Sequence, residues 1–252
     1  MERLKNETLA IYAQKAGFSE YACEENGGEC FQIAGVKVIP VCGVLMKRPS
    51  FAEMMQGACC IDEIACDIDE AEADGTVQAV MFWFDTPGGV VTGIPELAAK
   101  IRAMKKPTAA FTDKTCASAG MWLASQCVVV MATPSSRVGS CGVYHLVAEN
   151  SGQLASEGVK VNEFVRGKFK TTGADYRPVT SDESALLQAR VDRVAVKFYA
   201  DVKDARPQVD EMVFETADIY DGEQALAVGL IDEIVMDSNE AARNLIEMSI
   251  SI

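Results

Sequence analysis

Apolar side chains recur along this chain in two rhythms, one near every second residue and one near every third or fourth, and the two alternate. From residue 31 to 45 the rhythm is that of strands: Phe31, Ile33, Val36, Val38, Ile39, Val41 and Val44 are apolar, with breaks at Gly35 and Gly43. Ile61, Ile64, Ala65 and Ile68 then fall at i, i+3, i+4 and i+7 with acids between them, which predicts an amphipathic helix over 60–73. Residues 77–84 are almost continuously apolar, as a strand covered on both faces of a parallel sheet requires. That run ends in Asp85-Thr86-Pro87-Gly88-Gly89. A helix over 94–104, a strand over 108–111, a helix opening at Ser118 and a strand over 128–131 continue the alternation. Further strands are expected at 142–147 and 161–165, with a helix over 149–157 between them. Residues 167–179 read as a polar loop. Thr180-Ser181-Asp182-Glu183 reads as a capping box that opens the longest helix, running to about Lys203. A helix over 224–228 and a strand over 233–235 close the pattern. Residues 47–57 stay open between a helix capped by Ser50 and Glu53 and an exposed loop.

Strand and helix in alternation predict an α/β fold built from crossover units. No internal repeat or low-complexity linker divides the chain. The expected organisation is an N-terminal helix and loop over 1–30, one α/β domain over 31–236 and a C-terminal helix over 237–252.

Composition narrows the function classes. The 252 residues are 49% hydrophobic and 24% charged, which is ordinary for a globular chain with a substantial core. A net charge of −14 excludes nucleic acid or an anionic membrane held by a basic face. No run suits a signal peptide or approaches a membrane span, so a chain without a membrane anchor, in the cytoplasm, is expected. The nine cysteines show neither a C-x-x-C pair nor a disulfide framework, and thiols in a reducing compartment fit that number. No metal-ligand or cofactor motif is present, so neither metal nor cofactor is expected.

Ser118 stands in Cys116-Ala117-Ser118-Ala119-Gly120, where small neighbours leave its hydroxyl uncovered. A serine at a helix entry is either a plain N-cap or a nucleophile. Gly88-Gly89 is either a tight turn or an oxyanion hole, where a backbone without Cβ lets an N–H approach a developing negative oxygen. A serine nucleophile also needs a base. His145, the only histidine, falls in an expected apolar strand, where a buried and satisfied imidazole is the commoner outcome, and no acid is identifiable to orient it. A lysine serves instead where burial disfavours its ammonium form. Lys168 and Lys170 flank Phe169 after a strand, although a solvated loop lysine is the plainer reading.

Three segments taken together are more specific. Phe84-Asp85-Thr86-Pro87-Gly88-Gly89, then Cys116-Ala117-Ser118-Ala119-Gly120, then Val138-Gly139-Ser140-Cys141-Gly142-Val143 resemble the signal peptide peptidase family of serine proteases, most closely its soluble branch, the head-maturation proteases of tailed phages. Gly167-Lys168-Phe169-Lys170 resembles the family's Gly-x-aromatic-Lys segment. Asp221-Gly222-Glu223-Gln224-Ala225 and Gly229-Leu230-Ile231-Asp232 resemble its closing motif. The likeness spans about residues 32–236. It implies a Clp-protease/crotonase-like α/β fold of repeated ββα/βαβ units with a helical extension. It also implies a serine endopeptidase with Ser118 as nucleophile, Lys170 as general base and an acyl-enzyme intermediate. The N–H groups of Gly89 and Ala119 become the oxyanion hole, with the helix after Ser118 adding its positive end. Gly88, Val90 and Val91, with parts of residues 46–55, become the substrate-binding surface. A polypeptide substrate, a homo-oligomer enclosing a shared interior, and capsid or scaffold proteins as partners follow from the same likeness.

The sequence departs from the family pattern where Ala119 replaces a glycine after the nucleophile and where Cys141 replaces an isoleucine. Four other readings compete: a soluble bacterial enzyme of the same family, a Ser/His hydrolase using His145, a crotonase-like acyl-thioester enzyme using a carboxylate, and an inactive capsid-assembly protein in which Ser118 only caps a helix.

Overall fold

The computed structural model describes residues 30–33 and 35–250. The helix expected near the N-terminus and the loop after it lie outside them. Strands β1 (Phe31–Ile33), β2 (Val36–Cys42) and β3 (Val44–Met46) are separated at Gly35 and Gly43. Helix α1 (Phe51–Met55) carries a reciprocal capping box between Ser50 and Glu53, which settles the segment left open by the sequence as helical. Then come β4 (Ala58–Cys60), α2 (Ile61–Ala73), β5 (Ala79–Asp85), α3 (Ile94–Arg102) and β6 (Thr108–Thr112). Next are β7 (Thr115–Ala117), α4 (Ala119–Ala124), β8 (Val129–Ala132) and β9 (Arg137–Gly139). The chain continues through α5 (Ser151–Ser156), α6 (Ser181–Ala205), α7 (Met212–Thr216), β10 (Ile219–Tyr220), α8 (Gly222–Ala227), β11 (Glu233–Ile234) and α9 (Ser238–Ile250).

These elements form two compact units, one running to Gly142 and resuming at Phe198, the other spanning Val143–Lys197. The first is built on a six-stranded sheet in the order β1-β2-β5-β6-β8-β11. Its pairs are parallel except β1 with β2 at the edge. The apolar run of β5 is covered on both faces, as expected of a central parallel strand, and Ala79, Val80, Met81, Phe82 and Phe84 are buried. Ile61, Ile64 and Ile68 of α2 and Ile94, Leu97 and Ile101 of α3 turn their stripes inward. Ala241, Ala242 and Leu245 of α9 join a core with Val36, Val38, Met81, Phe111 and Met131. Each large apolar side chain buried in this way contributes about 1.5–3 kcal/mol.

Two smaller ladders stand at the end of this sheet where β5 terminates. Parallel pairing of β3 with β4 makes one, and the order β10-β9-β7 makes the other. Their strands are two or three residues long, too short to show a rhythm in the sequence.

The second unit departs from the sequence reading. Residues 142–147 and 161–165, expected as strands, carry no strand, and Tyr144, Leu146, Val161, Phe164 and Val165 are exposed. Their β-branched and aromatic pattern has no neighbouring ladder to complete it. His145 is accordingly exposed rather than buried in an apolar strand. Order in this unit is polar. The guanidinium of Arg177 donates to both carboxylate oxygens of Glu183 at 2.8 Å, and also to Glu163 and Thr171. Glu183 completes the predicted capping box at the start of α6, accepting from the Thr180 N–H at 3.0 Å while its own N–H donates to Thr180 Oγ1.

Among the described residues no helix is long and apolar enough to cross a membrane. Cys30, Cys59, Cys60, Cys66, Cys116, Cys127 and Cys141 are free thiols. Cys42 takes part in a disulfide, for which the spacing of the cysteines offered no sign.

Candidate active site

Strand β5 delivers Asp85-Thr86-Pro87-Gly88-Gly89 to the edge where the two small ladders meet. Gly88 has φ +99°, a conformation that side chains with a Cβ rarely adopt. Gly89 lies against the backbone of Leu45 so closely that a Cβ there would overlap the Leu45 carbonyl. The Leu45 N–H donates to the Gly88 carbonyl at 2.8 Å, and the Leu45 carbonyl accepts from the Val90 N–H at 2.9 Å. In a trans peptide the N–H points opposite to the C=O. Fixing the Gly88 carbonyl on β3 therefore turns the Gly89 N–H away from β3. Among the described residues that N–H has no acceptor.

Ser118 occupies the single residue between β7 and α4, with φ 53° and ψ −119°. For a residue with a Cβ this is strained backbone, of order 1–3 kcal/mol, held only because its surroundings dictate it. Two hydrogen bonds do so. The Ser118 N–H donates to the Gly139 carbonyl at 2.8 Å, and the Ser118 carbonyl accepts from the Trp122 N–H at 3.0 Å. The plain N-cap reading does not hold, since the side chain makes no capping bond and its hydroxyl has no partner among the described residues. The Ala119 N–H heads α4, where no acceptor exists within the helix.

The structure brings the glycine turn and the serine together. A Cβ at Gly88 would come within 2.7 Å of the Ser118 Cβ and 3.0 Å of the Ala119 nitrogen. The free N–H of Gly89 thus belongs to the peptide next to Ser118, and that of Ala119 to the residue after it. Val90, exposed, and Val91, half-buried, lead away from the turn toward α3.

Thiols flank the serine without competing with it. Burial pushes the Cys116 thiol well up and the Cys141 thiol to about 12, so both stay protonated and unreactive near neutrality. The Cys141 side chain, expected near the site from its motif, is fully buried beyond Ser140. Burial also raises the Asp85 carboxyl, an effect that Lys114 at 3.4 Å opposes.

The remaining expected residues lie in the second unit. Lys170 is exposed on a turn closed by its own N–H donating to the Gly167 carbonyl at 3.1 Å. Lys168 is engaged elsewhere, paired with Asp182 at 2.6 Å and placed over the Phe169 ring. Residues that the sequence reading passed over are Leu45 and Gly139, which act through backbone atoms, and Thr86. Gly139 and Thr86 stand inside motifs quoted from the sequence, which mark the segments but not these contacts; Leu45 stands in none.

Comparison with known proteins bears on the family and the fold. The model of peptidase family S49 matches residues 100–248, a stretch that holds Ser118 and Lys170 and begins after Gly89. Over 205 residues the chain is 30% identical to the capsid assembly protease C of Escherichia phage lambda, covering 80% of this chain and 46% of that protein. It is 30% identical over 210 residues to the head-tail preconnector protein GP5 of Enterobacteria phage P21, covering 82% and 42% respectively. Protease 4 of Salmonella typhi is 26% identical over 69% of this chain and 29% of its own length. The chain therefore spans less than half the length of these three relatives. Among solved structures, the 1510-N membrane-bound stomatin-specific protease superposes with a TM-score of 0.51 at 17% identity, covering 82% of both chains. The fold is the Clp-protease/crotonase-like α/β fold that the motifs implied.

Proposed function

Because this chain belongs to peptidase family S49, we propose that it is a serine endopeptidase working through Ser118 and Lys170. The observation that carries this reading is Ser118 itself, held in strained backbone with its hydroxyl unengaged beside Gly88. In the proposed cycle Ser118 Oγ attacks the peptide carbonyl while the neutral Lys170 amine accepts its proton. The tetrahedral oxyanion is held by the N–H groups of Gly89 and Ala119. Collapse expels the amine product, which takes the proton from Lys170, and leaves an acyl ester on Ser118. Water, deprotonated by Lys170, then attacks the ester, and the departing Ser118 Oγ takes that proton back from Lys170 as the acid product is released. A lysine serves as a base once water is withdrawn from it. Lys170 is exposed in the single chain, so its covering by substrate or by a neighbouring subunit is part of the proposal.

Gly88, Val90 and Val91 border the proposed acyl site and form the near part of the substrate surface. The name of the phage lambda relative, a capsid assembly protease, favours capsid polypeptides as substrates. Scaffold proteins as further substrates, the host cytoplasm or procapsid interior as the place, and a homo-oligomer as the working form belong to the same proposal.

The test is acylation of Ser118 by a serine-directed fluorophosphonate, read by mass spectrometry, beside cleavage of an unfolded polypeptide. Ser118→Ala should abolish both, and Lys170→Ala should abolish cleavage while Lys168→Ala and His145→Ala preserve it. Loss of cleavage with His145→Ala and not with Lys170→Ala would overturn the dyad. Absence of labelling and cleavage in the intact chain would return the molecule to a structural role.

A further inference from the structure

Thr86 links the glycine turn to the serine elbow. Its side chain is fully buried. The hydroxyl donates to the Gly43 carbonyl at 2.6 Å and accepts from the Gly88 N–H at 3.0 Å. Its backbone reaches the other way, the N–H donating to the Thr115 carbonyl at 2.8 Å and the carbonyl accepting from the Ala117 N–H at 3.1 Å. Its Cγ2 fills the space beside α4, where a Cβ at Gly120 would come within 2.5 Å of it. One residue therefore touches the β2–β3 turn, the Gly88 turn, the strand entering Ser118 and the helix leaving it.

The two hydroxyl bonds have a directional consequence. The Gly88-Gly89 peptide is fixed by Leu45, which holds the Gly88 carbonyl. The preceding peptide, Pro87-Gly88, is fixed by Thr86, which holds the Gly88 N–H, so Gly88 is held on both sides of its Cα. A glycine with φ +99° has no side chain to limit its rotation, so these bonds define the orientation of the peptide. Resting on the assignment of Ser118 as nucleophile and the Gly89 N–H as an oxyanion donor, we infer that Thr86 is a positioning residue whose hydroxyl sets the aim of that N–H relative to Ser118. Thr86 touches neither substrate nor reacting atoms in this scheme, and acts through Gly88.

Thr86→Val keeps the shape and the methyl against Gly120 but leaves the Gly43 carbonyl and the Gly88 N–H buried without partners. Thr86→Ser keeps the hydroxyl and removes the methyl. Cleavage of a fixed peptide is measured per Ser118 titrated with the fluorophosphonate, so that unfolded molecules are not counted. Thr86→Val should lower kcat roughly 10- to 100-fold with KM within about twofold, the pattern of a misaimed group that acts in the transition state. Thr86→Ser should retain kcat within about threefold. A valine variant with unchanged kcat per titrated site, or a serine variant as impaired as the valine one, overturns the inference.

Should Thr86→Val fail to fold, a second pair reads the same contact. Gly120→Ala pushes a methyl into Thr86 Cγ2 and should lower kcat, and Thr86→Ser in the same chain should restore it by vacating that space. No recovery in the double variant overturns the inference as well. Ser118→Ala separates the levels. If it still cleaves, the nucleophile assignment fails; if it is inactive while the Thr86 variants behave as wild type, only the positioning role fails.

Discussion

A methyl group on Gly88 would enter Ser118, since a Cβ there lies 2.7 Å from the Ser118 Cβ. The same position has φ +99°, so substitution also forces an L side chain into backbone it avoids. Gly88→Ala should lower kcat/KM by roughly 100-fold or more, through displacement of the elbow rather than loss of a chemical group. Gly75→Ala is the control, at an exposed glycine with open space around its Cβ position, and should shift stability by less than about 0.5 kcal/mol. Steady-state kinetics beside urea melts check both.

The strain at Ser118 predicts a trade between stability and activity. With φ 53°, a glycine at 118 relieves strain that an alanine retains. Ser118→Gly should therefore be more stable than Ser118→Ala by about 1 kcal/mol, with both inactive. Equal urea midpoints for the two variants would show that the elbow is unstrained in solution.

The second unit should respond to acid through Glu183. Hydrogen bonds from Arg177, with further help from Thr180, hold its carboxyl down from 4.5 to about 2. Folding thus favours the deprotonated form. The stabilisation is complete above about pH 4.5 and disappears as pH falls toward about 2. Amide exchange over 143–197 in wild type and Glu183→Gln should differ by a constant factor above pH 4.5 and converge toward pH 2. A difference independent of pH would remove the carboxylate from the account.

Phe198 stacks on Trp122 with ring centroids 4.6 Å apart, and the Trp122 indole N–H donates to Asp201 at 2.9 Å. Together they seat the last turns of α6 on the helix that follows Ser118. Phe198→Ala should cost about 3–5 kcal/mol. Denaturant midpoints check the cost, and a loss below about 1 kcal/mol would mean that the site collapses around the gap.

What was legible in the sequence tracks where local chemistry decides the outcome. The stripes of α2 and α3, the doubly covered β5 and the capping box at Glu183 are dictated by neighbouring residues, and each formed where the pattern placed it within a few positions. Residues 142–147 and 161–165 failed as strands because a strand needs a partner ladder, and no pattern within one segment supplies that. The misplacement of His145 follows from the same cause. The nearness of Gly88 to Ser118 was legible only through the family resemblance, since each motif alone also reads as a plain turn or cap. The part of Thr86 was not, because its hydrogen bonds run to backbone atoms that every residue carries.

Leu45 meets the glycine turn through its own N–H and carbonyl, and Gly139 meets Ser118 through its carbonyl. The local tolerance to mutation is therefore lopsided. A saturation library read for cleavage would find position 45 open to many apolar residues and closed to proline, whose missing N–H cannot hold the Gly88 carbonyl. Positions 88, 89 and 120 would admit glycine alone, because each abuts a neighbour where a Cβ has no room. Lineages can in this way drift far apart in composition around a centre whose geometry is written mostly in main-chain atoms.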